Sequence, residues 1–588
     1  MPGKLQRSTN LSSLSSSCRL CTSLHLMARS RSNRYRQDLF VAVAVAVAVA
    51  ACLAVGEAAS FVGFDLHHRT SPVVRRWAEA RGHHALAAEW PAKGSPEYYS
   101  ELSRHDRARR GLAGAGDQLL TFGDGNATVQ YLGFLYYALV ALGTPNATFL
   151  VALDTGSDLF WVPCDCKQCA PLPNNGTAEG VPPLREYSPR RSSTSTPVTC
   201  ESPLCDRPNA CGAATNGSCP YGVRYVSANT SSSGVLVQDV LHLTREGPGP
   251  GAAAEPLQAP VVFGCGRVQT GAFLDGGGFD GLLGLGMDRV SVPSVLAARG
   301  LVASDSFSMC FGDDGVGRIN FGDAGSRGQA ETPFIPRTTQ SVAALSVKYL
   351  ITTCLLIDPS NKIFCSPTYN VSFTTINVGS ESAPVEFAAV MDSGTSLTYL
   401  NDPEYTALGT SFNSRIRERR ANFSSGSAGR FPFEYCYTLS PDQRELDLPV
   451  VSLTAAGGAL FPVTDPIIGV SDGASARPIG YCLAVVKNDI PINIVGLNFM
   501  TGLKVVFDRE RSVLGWQEFD CYKNARVADG PGGSPSPAPA PTKLTPRQND
   551  ATSGYPGAAP VPRPPSAGSR GGISLLLPLL LGAAAALV

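Results

Sequence analysis

The sequence predicts a mainly β protein built as two pseudo-symmetric lobes with a cleft between them, and two observations predict it. The first is a duplicated motif. "VALDTGSDLFWVPCDC" (Val151 to Cys166) runs a buried-strand pattern into Asp-Thr-Gly-Ser, and "AAVMDSGTSLTYL" (Ala388 to Leu400) runs another into Asp-Ser-Gly-Thr. Well downstream of each come two apolar residues and a glycine: Leu282-Leu283-Gly284 after Asp154, and Ile494-Val495-Gly496 after Asp392. The second observation is texture. From Leu119 to Tyr522 short apolar runs such as "YYALVAL", "GVLVQDVLHL", "PVVFGC", "VSFTTINV" and "LKVVFD" are punctuated by Gly, Pro and Asn, which reads as strand and turn. Only "VSVPSVLAARG", stopping at Gly300, and "PEYTALGTSFNSRI" read as helices.

With 588 residues the chain is too long for one core, so two lobes plus appendages are expected. Lys+Arg and Asp+Glu both number 48, and the zero net charge gives no footprint for nucleic acid or other polyanions. From Met27 a basic stretch leads into an apolar region, about Leu39 to Val55. Small residues follow that suit cleavage after Gly56 or Ala58, the pattern of a secretory signal peptide. The Ser-rich stretch before Met27 is either an N-terminal extension or lies upstream of a true start at Met27. Of 17 Cys, cleavage removes Cys18, Cys21 and Cys52 and leaves fourteen, an even number suited to disulfides in an oxidising compartment.

These features set the expected domains. Residues 1–58 are extension and signal peptide; 59–116, basic and free of Cys, are a propeptide with a processing site around Arg107 to Arg110, or else an exposed helical hairpin that is retained. Residues 117–335 form the N-terminal lobe with a Cys-rich insertion, and 336–522 the C-terminal lobe. A Pro/Ala/Ser-rich linker (523–570) precedes "ISLLLPLLLGAAAALV", and 571–588 read as a cleaved glycosylphosphatidylinositol (GPI) attachment signal, with a simple tail anchor as the alternative. Sequons at Asn126, Asn146, Asn175, Asn216, Asn229, Asn370 and Asn422 fit a secreted glycoprotein.

Two carboxylates facing each other across a pseudo-two-fold axis cannot both ionise easily, so Asp154 and Asp392 would share a proton and act as general base and general acid on one water. The base draws a proton from that water as it attacks a peptide carbonyl, and the acid protonates the carbonyl oxygen. No metal or cofactor is required. Gly156 and Gly394 let the backbone approach and donate to the carboxylates. Ser157 and Thr395 are placed to orient them, and Thr155 and Ser393 to lock the two loops across the axis.

Together "LDTGSDLFWVP", "MDSGTSLTYL" and the two apolar-apolar-Gly repeats resemble the pepsin-like aspartic proteases, over about Leu119 to Tyr522. The Cys-rich stretch from Cys164 to Cys219 is similar to that of the nepenthesin-type plant branch. The resemblance implies a bilobal β fold, endopeptidase action on protein or peptide substrates at acidic pH, a monomer, and an apoplastic or GPI-tethered membrane-surface location. It implies that Trp161 braces a flap, that Tyr225 within "CPYGVRYVSANTSSSGVL" is the flap tyrosine, and that Cys436 and Cys482 form a disulfide. The flap departs from the family's Tyr-Gly-x-Gly-Ser, with Val226 after the tyrosine.

Competing readings are weighed on the same residues. A lone Asp-x-Gly is usually a turn, but two with matching downstream repeats are not well explained that way. Cys164, Cys166, Cys169 and the four Cys from Cys200 to Cys219 suit disulfides better than zinc in a secreted chain. Five of seven His fall in the basic N-terminal segment, leaving none in the motifs. The rival functions are a catalytically inactive wall protein or inhibitor of the same fold, and a lipid-anchored adhesive glycoprotein.

Overall fold

The structure is a computed structural model, and it describes residues 62–68, 71–79, 94–109, 136–169, 186–206, 208–212, 215–224, 231–245, 254–270, 280–311, 316–336, 356–357, 363–364, 369–423, 431–440, 443, 445–472, 477–488, 492–519 and 545–546. Signal peptide, GPI signal, Tyr225, and the sequons at Asn126, Asn175 and Asn229 lie outside the described residues, as does the linker apart from residues 545–546.

In chain order the N-terminal elements are β1 (Val62–His68), α1 (Pro72–Glu79), α2 (Pro96–Arg109), β2 (Tyr136–Leu142), β3 (Ala147–Asp154) and β4 (Trp161–Gln168). There follow β5 (Thr196–Pro197), β6 (Pro220–Arg224), β7 (Ser231–Arg245), β8 (Glu255–Thr270), β9 (Leu282–Gly284), α3 (Val292–Ala298), β10 (Ser306–Phe311), β11 (Val316–Phe321) and β12 (Ala330–Pro333). The run "YYALVAL" coincides with β2. Helix α3 stops before Gly300, whose φ of 67° is a left-handed value that glycine adopts without a Cβ clash.

A 14-stranded sheet runs β12, Val513–Glu518, Leu503–Asp508, β10, β11, β1, β2, β3, β9, β4, β8, β7, β5, with β6 paired to β7. The last two strands of the C-terminal part, Leu503–Asp508 and Val513–Glu518, therefore return to a sheet that the chain began far upstream, through Phe307↔Phe507 and Ala330↔Trp516 among other pairs. Phe307 and Phe507 stack at 4.8 Å between ring centroids, with Tyr369 edge-on to Phe507 at 4.7 Å. This aromatic layer joins the two lobes. The C-terminal lobe has a seven-stranded sheet ordered Leu460–Val463, Val451–Ala455, Asn370–Val378, Glu381–Met391, Asn493–Val495, Thr398–Leu400, Val485–Lys487. A four-stranded sheet holds Arg420–Ala421, Cys436–Thr438, Pro478–Leu483 and Ile467–Ser471.

The basic N-terminal segment is not an exposed hairpin. Its strand β1 pairs with β11 from Val62↔Phe321 to His67↔Val316 and also meets β2 and β7. Leu66 is fully buried, and Tyr98, Tyr99 and Leu102 of α2 pack in the main core. The reading as an exposed hairpin failed because Val62, Leu66, Val74, Tyr98, Tyr99 and Leu102 are buried against the body of the protein.

Candidate active site

Both aspartates stand at the ends of buried strands, and the local hydrogen bonding is duplicated. In the N-terminal lobe β3 pairs parallel with β9, setting Leu153↔Leu283 and Asp154↔Gly284. In the C-terminal lobe Glu381–Met391 pairs parallel with Asn493–Val495, setting Val390↔Ile494 and Met391↔Val495, so that Asp392 follows directly. The third strand of each set crosses antiparallel, with Trp161↔Leu282 in one lobe and Tyr399↔Ile494 in the other. The apolar-apolar-Gly repeats are thus the central strands against which each aspartate loop is laid.

Those repeats end in glycine because the loops come too close for a side chain. A Cβ on Gly284 would lie 2.4 Å from the backbone carbon of Asp158, and one on Gly496 2.2 Å from the carbonyl oxygen of Leu397. Leu285 N–H donates to the Asp154 carbonyl at 2.9 Å, and Leu497 N–H to that of Thr395 at 2.8 Å.

The carboxylates are held by equivalent donors. Gly156 N–H reaches Asp154 Oδ1 at 2.9 Å and the Ser157 hydroxyl donates to Oδ2 at 2.7 Å. Gly394 N–H reaches Asp392 Oδ1 at 2.9 Å and the Thr395 hydroxyl donates to Oδ2 at 2.7 Å. Asp154 is 3% exposed. Across the axis the Thr155 hydroxyl lies 3.5 Å from the Met391 carbonyl, a long contact but one that puts the Asp154 loop against the residue just before Asp392. Ser393 differs from the expectation: its hydroxyl is buried and makes no hydrogen bond among the described residues, so the lock across the axis is one-sided.

Trp161 is 1% exposed and shares a core cluster with Tyr221, Leu159 and Leu282. Strands β6 and β7 pair antiparallel from Pro220↔Val235 to Arg224↔Ser231, and Tyr225, next in sequence after β6, lies outside the described residues. Cys436 and Cys482 sit opposite each other in neighbouring strands and are disulfide-bonded. Cys164–Cys265, Cys166–Cys169, Cys200–Cys211 and Cys205–Cys219 are disulfides too, so Cys164 staples the strand after Asp154 to β8 rather than closing on the Cys-rich stretch.

Among the sequons, Asn146, Asn216 and Asn422 are exposed. Asn370 is a correction. It is 1% exposed at the start of a central strand, where its carbonyl accepts from Ile335 N–H and Asn370 pairs with Val390, so a glycan has no path to solvent. The Asn-x-Ser pattern carries no information about strand burial.

Three supporting residues were not legible in the sequence. The Tyr369 hydroxyl, whose pKa burial raises well above the phenol range despite the opposing charge of Arg509, donates to the Leu285 carbonyl at 2.5 Å. Arg509 reaches the Gly286 carbonyl at 2.5 Å and Asp305 at 2.6 Å. Asp106 of α2 accepts from Ser396 and Leu397 N–H at 2.9 and 3.2 Å. Each partner lies between 84 and 291 residues away, beyond any local pattern.

A family model for xylanase inhibitor N-terminal domains matches residues 136–323, and one for xylanase inhibitor C-terminal domains matches residues 368–518. The chain is 43% identical over 504 residues to Aspartyl protease family protein 1 of Arabidopsis thaliana, an alignment covering 84% of this chain and 88% of the relative. It is 36% identical over 461 residues to Aspartic proteinase-like protein 1 of the same plant, covering 77% and 81%. To aspartic proteinase nepenthesin-2 of Nepenthes gracilis it is 25% identical over 424 residues, covering 71% and 85%. With two aspartate loops on a duplicated strand frame and these relatives, the chain belongs to the plant pepsin-like aspartic protease family.

Proposed function

We propose that the protein is an aspartic endopeptidase that hydrolyses peptide bonds with a water activated by Asp154 and Asp392. The observation that carries this reading is the duplicated support of the two carboxylates, each with one backbone N–H at 2.9 Å and one hydroxyl at 2.7 Å. Such fixed donors hold a carboxylate's two oxygens in one orientation, leaving its remaining lone pairs to face a shared water. One proton between the two groups makes one the base and the other the acid. The water attacks the carbonyl carbon as its proton passes to the charged aspartate, and the protonated partner gives its proton to the carbonyl oxygen. Collapse of the tetrahedral intermediate breaks the C–N bond, with proton transfer to the leaving amine.

The surroundings fit a secreted location: five disulfides among the described residues and three exposed sequons suit an oxidising compartment. The C-terminal apolar stretch supports GPI tethering at the plasma membrane surface. We take the enzyme to act as a monomer on protein or peptide substrates, at acidic pH.

A second reading follows from the matched family models, which are named for xylanase inhibitors: a cleft that binds a protein partner without turnover. Retention of both aspartates with their hydroxyl partners favours the peptidase. The deciding experiment is cleavage of a peptide library by the processed protein from about pH 3 to about pH 7, with and without pepstatin, beside Asp154→Asn. Acid-dependent, pepstatin-sensitive cleavage lost in the variant supports the peptidase. Absence of cleavage by the folded, processed protein moves the binding reading forward.

A further inference from the structure

Strand β6 is seated against Trp161 by a tyrosine outside the aspartate motifs. Among the described residues β6 pairs with β7 alone, so side chains rather than a backbone ladder tie it to β8 and β4. Tyr221 and Val223 alternate onto one face of β6 and pack in the cluster that holds Trp161. The Tyr221 ring lies across two glycines of β8. A Cβ on Gly264 would stand 2.5 Å from the ring's Cζ and 3.0 Å from the Cβ of Trp161, and one on Gly266 would stand 3.0 Å from the phenol oxygen. That oxygen is 2.9 Å from the hydroxyl of Ser232 on β7, a residue with no exposed surface. Burial pushes the phenol pKa well above its usual range, against the Ser232 hydrogen bond, so the pair is neutral throughout the acid range. From the cradle the contacts run inward. Gly264 N–H donates to the Phe160 carbonyl at 2.8 Å, and Gly264 is the register partner of Trp161, Trp161 of Leu282, and Leu282 of Ala152, two residues before Asp154.

We propose that Tyr221 is a positioning residue for substrate binding: its ring, seated in the glycine cradle of β8 and kept there by Ser232, fixes β6 relative to the strand frame that carries Asp154. The disulfide Cys205–Cys219 and the bond from Leu236 N–H to the Cys219 carbonyl at 2.8 Å hold only the root of the strand. Beyond that root, an edge strand with one ladder is free to tilt unless its side chains are locked. Tyr221 supplies the lock through close fit, because Gly264 and Gly266 leave room for the ring and for no further side chain. Ser232 makes the seat stable, since a phenol buried without a partner costs more than one that swings out to water. The strand packs on Trp161, at the start of the strand that leaves the Asp154 loop, so a peptide laid against Asp154 is flanked by it. A strand that tilts offers the peptide a competent arrangement only part of the time, and apparent affinity falls by that fraction. This inference rests on the peptidase reading and adds to it a residue that sets how well substrate is held, acting through Trp161 and without touching the reacting atoms.

The test reads kcat and KM on a peptide that the processed protein cleaves, beside hydrogen exchange of the β6 amides, in four variants. Ser232→Ala strands the buried phenol and should raise KM about fivefold, with kcat within about twofold of wild type. Tyr221→Phe keeps the ring and should stay within about twofold of wild type in both constants. The double variant Tyr221→Phe with Ser232→Ala leaves no polar group stranded in the cradle, so KM should return to within about twofold of wild type. Tyr221→Leu removes the ring and should raise KM by about tenfold or more. Exchange in β6 should quicken in Ser232→Ala and Tyr221→Leu and be restored in the double variant. A purely structural role lowers melting temperature and leaves KM where it was; that result in folded Ser232→Ala and Tyr221→Leu overturns the proposal, as does a loss confined to kcat. Should Tyr221→Leu not fold, the rescue of Ser232→Ala by Tyr221→Phe decides by itself. A folded, processed wild type that cleaves nothing overturns the peptidase reading and the role in substrate binding with it, whereas the exchange rates still show whether Tyr221 fixes β6.

Discussion

Arg509 donates to the Gly286 carbonyl at 2.5 Å, and Gly286 in turn donates its N–H to the carbonyl of Ser157 at 2.8 Å, the residue whose hydroxyl holds Asp154. A guanidinium from the turn after the strand Leu503–Asp508 thus steadies the first aspartate loop. It also bonds the hydroxyls of Ser291 and Ser294 and pairs with Asp305. With its side chain only 3% exposed, removing it leaves several buried acceptors unmet. Arg509→Met is expected to lower stability by about 3 kcal/mol, read by urea denaturation. Arg509→Lys should keep most of the stability but reduce kcat more than it raises KM, because one ammonium cannot hold Gly286, Ser291 and Asp305 together.

Ser157 and Thr395 make the same bond to the two aspartates at the same 2.7 Å. Under a shared-proton mechanism the two hydroxyls serve equivalent groups, so Ser157→Ala and Thr395→Ala should each lower kcat by about tenfold, with KM little changed. The double variant should lose less than the product of the two, since the dyad acts as a unit. A defect confined to one variant would mean that the carboxylates have fixed, unequal roles.

The duplicated aspartates, the apolar-apolar-Gly strands and the stretches that became β2 and Leu503–Asp508 were legible because their signals are local. Alternation of apolar residues and a glycine at a close approach can be read without knowing the partner. The same logic explains what was hidden. Ser393 carries the expected residue type, yet whether its hydroxyl finds an acceptor depends on sub-ångström placement of the opposite loop. Asp106 looks like a lone acid in a basic run, and only the packing of α2 brings it against Ser396. The strand β1 was missed because "VGFDLHH" is short and half polar, and its partner β11 lies some 250 residues on.

Asp239 predicts an acid limit for the N-terminal lobe. It is 1% exposed, and although burial pushes its carboxyl up, hydrogen bonds from the hydroxyls of Ser192, Thr194 and Tyr187 and from Val240 N–H hold it below the ordinary carboxylate range. The Tyr187 and Thr194 bonds are both 2.5 Å. A pKa lower in the folded than in the unfolded chain means that the unfolded state binds the proton first. The stabilisation is then complete above the unfolded value of about 3.9 and is lost as pH falls through the folded value. Asp239→Asn should cost about 2 kcal/mol near neutrality and less at about pH 2, so its melting temperature should depend less steeply on acid than that of wild type.

Asn370 separates sequence pattern from accessibility in a single measurement. Its sequon reads Asn-Val-Ser, no different in form from the exposed ones at Asn146, Asn216 and Asn422. Yet Asn370 begins a central strand whose neighbours Tyr369 and Val371 are fully buried, and its register partner is Val390, two residues before Asp392. A glycan there would have to displace the strand that carries the aspartate, at a cost of several buried backbone hydrogen bonds. Glycopeptide mass spectrometry of protein secreted from a eukaryotic host should find Asn146, Asn216 and Asn422 occupied in part or in full and Asn370 bare. Asn370→Gln should leave the glycan mass unchanged and act only through packing. A glycan on Asn370 of folded, active protein would mean that the strand register at the centre of the C-terminal lobe differs from the one described here.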